Sequence, residues 1–391
     1  MKTDLLVIGG GSAGLAAAVT AAREGLKVIM VERHGMAGGM GTASLVHTFC
    51  GLYFIDGDQA VIANPGFSEE LADRMESVTG RGPVKMGRVW VLPQHPVDFA
   101  RIADELLRES GVNVLYHSEL IALEPGWQAR VACRGEIFGI EAGAVIDASG
   151  DAVGAALLGL DDDRTPAERL QRPAYVSGVQ GVVGELASLE LSGRIVEGVR
   201  SGNLPKASLG MHFRGSGRDG EVFGTLDLAG EERGDFDPTD PACLSAVEET
   251  GRAVASAVVG YLKDNQSGWE RAYVSHWPAR AGVRESRCYR GESVLSGEAV
   301  LKGERREDEV ALATWPMEMR ETNRGPKLRF PDDGKAAGIP AGALRVKGMA
   351  GLFAAGRCLS CDHDAQASIR VMGTCFATGQ ATAQLAAGGL H

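Results

Sequence analysis

Asp4-Leu5-Leu6-Val7-Ile8-Gly9-Gly10-Gly11-Ser12-Ala13-Gly14 stands near the start of the chain; an Ala-rich run follows, then Val28-Ile29-Met30-Val31-Glu32. The order is buried strand, glycine turn, small-residue helix, second strand, acid. Gly9, Gly11 and Gly14 fit G-x-G-x-x-G. In that motif the first glycine makes the tight turn and the second lets backbone approach a pyrophosphate. The third lets helix and strand pack closely, while the helix N-terminus offers N–H donors and positive dipole. Glu32 lies 18 residues past Gly14, where an acid can hydrogen-bond a ribose hydroxyl. A Gly-rich surface turn would leave Glu32 and the flanking apolar runs unexplained. Ser12 and Ala13 complete the cradle. The expected fold class is α/β, built on a Rossmann-like dinucleotide-binding unit.

At 391 residues the chain exceeds one ordinary core, so two lobes are expected. Apolar content of 44% and charged content of 23% are globular values. A net charge of -11 argues against nucleic acid or an anionic membrane as partner. No apolar stretch reaches transmembrane length, and the first strand begins too early for a signal peptide. Seven scattered cysteines read as free thiols in a reducing compartment, so the expected location is the cytoplasm.

Pro96 to Ser110 reads as an amphipathic helix with Phe99, Ile102, Ala103, Leu106 and Leu107 on one stripe. Strands are expected at Val112–Leu115, Ala129–Cys133 and Ile137–Ile140, with a separate short one at Ala144–Ala148. Asp161 to Pro173 reads as a lobe boundary, and Gly215 to Pro241 as a Gly/Asp-rich loop region. Asp240-Pro241 starts a helix with Leu244, Val247, Val254, Val258 and Tyr261 on its apolar face. Gly351 to Gly356 reads as strand and turn, and Thr374 to Ala387 as a small-residue helix. The expected division is a discontinuous cofactor lobe, 1–164 with 340–391, and an inserted α+β substrate lobe, 165–339. There is no second unit of strand, G-x-G-x-x-G and helix.

These pieces together resemble the FAD-dependent oxidoreductases of the two-dinucleotide-binding-domain flavoprotein superfamily, distantly like the fumarate reductase flavoproteins. Four blocks carry the likeness: VIGGGSAG with VER and AGGMGTAS, ESGVNVLYHSELIAL running to AVIDASGDAVGA, AGVRESRCYRG, and LFAAGRCLSCDHDAQASIRVMGTCFATGQATAQLA. The resemblance implies non-covalent FAD. Glu32 and Arg33 would hold the adenosine ribose and its surroundings. Gly39, Met40, Gly41 and Thr42 would wrap the ribityl and flavin region, and Leu120 would border the adenine. Ala148, Ser149 and Gly150 leave room for the cofactor, while Gly356-Arg357 follow the late strand beside the ribityl chain. Met372, Gly373 and Thr374 would meet the flavin pyrimidine edge, where a helix N-terminus stabilises negative charge.

The implied activity is an FAD-dependent oxidoreductase that moves hydride between a small anionic organic substrate and flavin N5. His363 is the candidate proton mover, and Arg370, Arg287 and Arg284 are the candidate anion holders. If Val283 to Arg287 is extended, Arg284 and Arg287 point to opposite faces and do not share a ligand. His47 and Cys50 follow the flavin loop, with placement in the core set against placement in the cavity. Cys358-Leu359-Ser360-Cys361 is either a redox-active CxxC or two ordinary thiols. No metal is expected, because Cys358, Cys361 and His363 lack a fourth ligand. A flavin-dependent monooxygenase is the alternative reading. It is disfavoured because Arg357 stands where aromatic hydroxylases usually carry an acid. A non-catalytic FAD-binding or RNA-modifying partner is opposed by the acidic balance. The electron acceptor is left open, and so is a homodimer.

Overall fold

The computed structural model describes residues 1–184, 186, 188–228, 236–321 and 325–390. The strands used below are β1 (Lys2–Ile8), β2 (Val28–Val31), β3 (Asn113–Leu115), β4 (Glu119–Glu124), β5 (Gln128–Cys133), β6 (Glu136–Asp147), β7 (Ala174–Gln180), β8 (Met211–Gly215), β9 (Glu221–Asp227), β10 (Tyr273–His276) and β11 (Leu352–Ala354). The helices used below are α1 (Ser12–Arg23), α2 (Pro96–Glu109), α3 (Pro241–Asn265), α4 (His363–Ile369) and α5 (Met372–Leu390).

The fold is α/β, on a parallel sheet ordered β3-β2-β1-β6-β11. Leu5 to Ile8 and all of β2 are buried, as strands covered on both faces must be. β11, drawn from late in the chain, pairs in parallel with the end of β6, and α5 lies against α1. Three glycines permit that approach. A Cβ at Gly14 would stand 1.8 Å from the Gly9 carbonyl oxygen, one at Gly379 would stand 2.1 Å from the Ala13 oxygen, and one at Gly356 would stand 2.9 Å from the Ala13 Cβ.

The two strands expected at Ile137–Ile140 and Ala144–Ala148 are one twelve-residue strand, β6. Its first half pairs antiparallel with β5, and its second half passes between β1 and β11. The change of partner halfway produces the change of hydrophobic pattern that reads as a break.

A second sheet, ordered β8-β9-β7-β10, is antiparallel. β9 runs through the region expected to be loop. Gly224 sits mid-strand because Met211 and Phe213 fill the space its side chain would take. Residues 229–235 of that region lie outside the described residues. Pro241 opens α3, and the Asp240 side chain accepts from the Ala242 N–H at 2.9 Å. The buried face of α3 is Gly251, Val254, Ala255, Val258, Val259 and Leu262; Leu244, Val247 and Tyr261 are only half-buried.

Period two divides β9. Val222 and Leu226 join Met211, Phe213 and Tyr175 in a core capped by α3. Phe223, Thr225 and Asp227 face the other way, with Arg214 and His212 opposite Phe223 and Thr225 on β8. That second face looks onto residues 43–50, where His47 stacks on Phe223 at 4.7 Å and Leu45 packs with it. The expected boundary at 339/340 does not coincide with the change of core, because Tyr289, Val300, Ala313, Met317 and Ile339 share the apolar cluster of Leu6 and Val145. Among the described residues no helix is long and apolar enough to cross a membrane.

Candidate functional site

A cleft of about 540 Å³ opens at the C-terminal ends of β1 and β2, where open α/β sheets bind ligands. Gly9, Gly11, Glu32, Arg33, Leu120, Ala148 and Ser149 all line it. Gly9 turns at φ +90°. A Cβ on Gly11 would meet nothing nearer than the Gly39 Cα at 4.0 Å, so the space above this glycine is open. Gly11 N-caps α1 with no side-chain bond, leaving the first N–H groups free to meet an anion. Glu32 is 6% exposed and accepts from the Gly10 and His34 N–H groups, each at 2.7 Å. It therefore holds the glycine turn in shape as well as lining the cleft.

The remaining cofactor candidates lie outside the lining of this cleft and have different duties. Ser12 and Ala13 form the first turn of α1, and Gly39-Met40-Gly41 is a single 3-10 turn against Gly11. Thr42 spends its hydroxyl on the Ala37 carbonyl, at 2.8 Å, to brace that turn. Ser149 accepts from the Val153 N–H at 3.2 Å. Gly150 and Gly356 both have φ +77°, and the Arg357 guanidinium lies over Gly150. Arg357 pairs with Asp151, whose carboxyl burial would raise but Arg357 and Ser286 hold down at about 2. Met372 packs on Gly41, and Gly373 donates to the Cys50 carbonyl at 2.9 Å. Arg357 Nε and Thr374 Oγ1 are buried with no partner among the described residues. The open space over Gly11 and the uncapped N–H groups at the start of α1 fit FAD.

Between the second face of β9 and the start of α5 lies a cluster of largely buried arginines, called the basin below. Arg284 donates to Asp227 at 2.7 Å and to the Arg172 carbonyl. Arg320 pairs with Asp227 and Glu318. Arg370 caps α4 and donates to the Gln171 side chain at 3.2 Å and the Glu318 carbonyl at 3.1 Å. No carboxylate lies within 4.0 Å of it among the described residues, and its Nε is buried without a partner. Burial and the Arg284 and Arg320 charges outweigh the pull of Glu318 and lower its pKa to about 10. Burial raises the Asp227 and Glu318 carboxyls, but the arginines around them win and hold both at about 2. His212 faces this basin without a hydrogen-bond partner among the described residues. Burial, aided by nearby Arg214 and Arg320, drops it to about 4.

The sequence candidates separate accordingly. Arg370 and Arg284 come together in the basin. Arg287 does not: its guanidinium reaches the Asp151 carbonyl at 3.2 Å and Asp162 at 3.6 Å, away from the Asp227 carboxylate that holds Arg284. His363 has both ring nitrogens on carboxylates, Nδ1 on Glu285 at 2.8 Å and Nε2 on Glu321 at 3.0 Å. That arrangement ties α4 to the segments carrying Glu285 and Glu321 and leaves no nitrogen for substrate. His47 is buried, and burial drops it to about 3, so it stays neutral. Cys50 is pushed up to about 12 by burial and by Glu318. Cys358 and Cys361 are buried, and both thiols are raised well above the usual range. Cys361 Sγ lies 4.0 Å from Cys288, so neither thiol has the exposed, low-pKa setting of a redox CxxC. Sequence reading missed Asp227, which fell in a presumed loop, along with His212, Glu318, Arg320 and Arg280. Arg280 lies one residue before the matched block AGVRESRCYRG.

The Glu285–His363–Glu321 bridge carries a pH prediction. Burial lowers the His363 pKa, but the two carboxylates outweigh it and raise it above the ordinary value. The bridge therefore stabilises fully below the unfolded value near 6.5 and fades as pH rises through the folded one. His363→Gln should cost about 1.5–3 kcal/mol at pH 6 and less at pH 9, by urea unfolding. Equal losses at both pH values would show that the bridge is not charged.

A family profile described as FAD dependent oxidoreductase matches residues 4–390. No curated protein matches the chain. Among solved structures, a geranylgeranyl bacteriochlorophyll reductase-like protein of Thermoplasma acidophilum is 14% identical with a TM-score of 0.47, over 99% of this chain and 78% of that one. The p-nitrophenol 4-monooxygenase PnpA of Pseudomonas putida is 11% identical with a TM-score of 0.46, over 75% and 70%. A flavoprotein/dehydrogenase of Cytophaga hutchinsonii is 16% identical with a TM-score of 0.43, over 99% and 78%. At these similarities none of the three bears on substrate.

Proposed function

The chain belongs to the FAD dependent oxidoreductase family, and from that premise we propose that it oxidises or reduces a small organic anion bound at Arg370. The observation that carries this reading is the buried, carboxylate-free guanidinium of Arg370, with its Nε unpartnered. Such a group is stabilised by a carboxylate that accepts two parallel N–H bonds. Arg284 and Arg320 are held by Asp227 and Glu318 and border the anion without being spent on it. Bound FAD supplies two-electron hydride chemistry at N5. His212 has no hydrogen-bond partner among the described residues, and the nearby Asp227 carboxylate stabilises the imidazolium it forms on taking the substrate proton. His363 positions α4, and through it Arg370. The cofactor is held non-covalently, so acid denaturation should release all flavin into solution.

The test is direct. Carboxylates such as acetate, oxalate and succinate, titrated into the holoenzyme, should perturb its visible flavin band with saturation. Arg370→Met should keep its flavin and lose that response, and kcat/KM for any substrate so identified should fall roughly 10²- to 10⁴-fold. An Arg370→Met enzyme that responds to anions as the wild type does sinks the proposal. Oxygen atoms from O₂ in the product would turn the reading to a monooxygenase.

A further inference from the structure

Arg280 is delivered to the cofactor cleft by the segment that leaves β10. Ala279 and Arg280 both donate backbone N–H to the Ala43 carbonyl, at 2.8 and 3.3 Å, which lays this segment along the turn after Gly41. The Arg280 side chain lines the cleft with Gly9, Gly11, Glu32, Arg33 and Asp151, and its Nε is out of solvent and unpartnered. The nearby acids are already engaged. Asp151 takes Arg357 and the Ser286 hydroxyl, with Arg33 at 3.8 Å, and Glu32 takes two backbone amides. No carboxylate lies within 4.0 Å of Arg280 among the described residues. Burial, with Arg33 and Arg357 beside it, depresses its pKa to about 10. The cleft thus holds the guanidiniums of Arg280 and Arg33, with Arg357 beside it on Asp151, against two occupied carboxylates.

We propose that Arg280 closes a three-arginine clamp with Arg33 and Arg357 on the FAD diphosphate, so that cofactor binding and the seating of the second sheet's lobe are one coupled equilibrium. The clamp rests on FAD occupying this cleft. Coupling is reciprocal: whatever Arg280 adds to FAD affinity, FAD adds to the anchoring of the segment that carries Arg280. This differs from a surface arginine that merely raises the local potential, because the side chain comes from a segment hinged on β10 and not from the dinucleotide fold itself.

The experiment dilutes holoenzyme and follows the rise of free-flavin fluorescence. Arg280→Met should release FAD about 10- to 100-fold faster than wild type, with Arg280→Lys between them. Its FAD dissociation constant should also depend less steeply on salt. Arg290→Met, an exposed arginine outside the cleft, should keep the wild-type rate. In parallel, FAD should protect wild type from chymotrypsin at Tyr273 and Trp277, and should fail to protect Arg280→Met even at saturation. Unchanged release in Arg280→Met overturns the clamp, and equal protection of the two proteins overturns the coupling. If Arg280→Met does not fold, Arg280→Lys decides by the same two readouts. A wild-type protein that purifies and reconstitutes without flavin would instead refute occupancy of the cleft.

Discussion

Gly14→Ala is expected to unfold or strip this protein, although it adds one methyl group. The added Cβ would stand 1.8 Å from the Gly9 carbonyl oxygen, 3.0 Å from its carbon and 3.3 Å from the Ala148 Cβ. Two of those neighbours are backbone atoms of the glycine turn, so no rotamer relieves the clash. α1 must move away from β1, or the turn must open. α1 is also clamped from behind, where a Cβ on Gly379 of α5 would come within 2.1 Å of the Ala13 oxygen. Overpacking of this kind costs about 3 kcal/mol or more, which is roughly 5–10 °C in melting temperature. Because the displaced turn is the phosphate cradle, flavin content should fall together with stability. Gly388→Ala is the control. It lies in the same layer, near the end of α5, and its Cβ would meet nothing within 4 Å. It should be neutral or gain about 0.5–1 kcal/mol of helix propensity. The prediction fails if Gly14→Ala melts within about 1 °C of wild type with full flavin.

Asp227→Asn should be nearly as damaging, for an electrostatic reason. Asp227 is the common partner of Arg284 and Arg320, with side chains only 11–16% exposed. Removing its charge leaves two largely buried guanidiniums to share Glu318, which already serves Arg320. Breaking a buried ion pair from one side costs about 3–5 kcal/mol, more than the pair itself is worth, because the charge left behind stays desolvated. The pH dependence has a definite sign. Asp227 and Glu318 are both depressed to about 2 in the fold, whereas unfolded carboxyls titrate near 4. Their contribution is therefore full above about pH 4 and is lost as pH falls from there toward 2. Wild type should lose stability steeply through that window, and Asp227→Asn should start lower and lose less. Chemical unfolding at neutral pH and across the acid window measures both. A variant with wild-type stability would mean that solvent or counter-ions already compensate the arginines.

The His363 bridge shows how a correct residue can carry a different duty from the one its chemistry suggests. A histidine in a polar loop before the last helix reads as a proton mover. Which atoms its nitrogens meet depends on Glu285 and Glu321, 78 and 42 residues away. The arginine pair behaves more predictably. Arg284 and Arg287 are expected not to share a ligand, and they take different partners, Asp227 for the first and Asp151 with Asp162 for the second.

The sequence alone determined the glycine turn, its acid, the amphipathic helix from Pro96 and the late small-residue helix. Each is set by local sterics or by a periodicity contained within one element. The late strand and helix also read as returning to the first unit, and β11 does pair with β6 while α5 packs on α1. Only the tertiary structure decided that β6 is one strand and that β9 runs through a glycine-rich stretch. Those outcomes depend on cross-strand partners such as Phe213, which fills the space over Gly224. The arginine basin was likewise beyond sequence. Asp227, Arg284, Arg320 and Arg370 are spread over 143 residues, and burial gives their charges weight only once the second sheet closes over them.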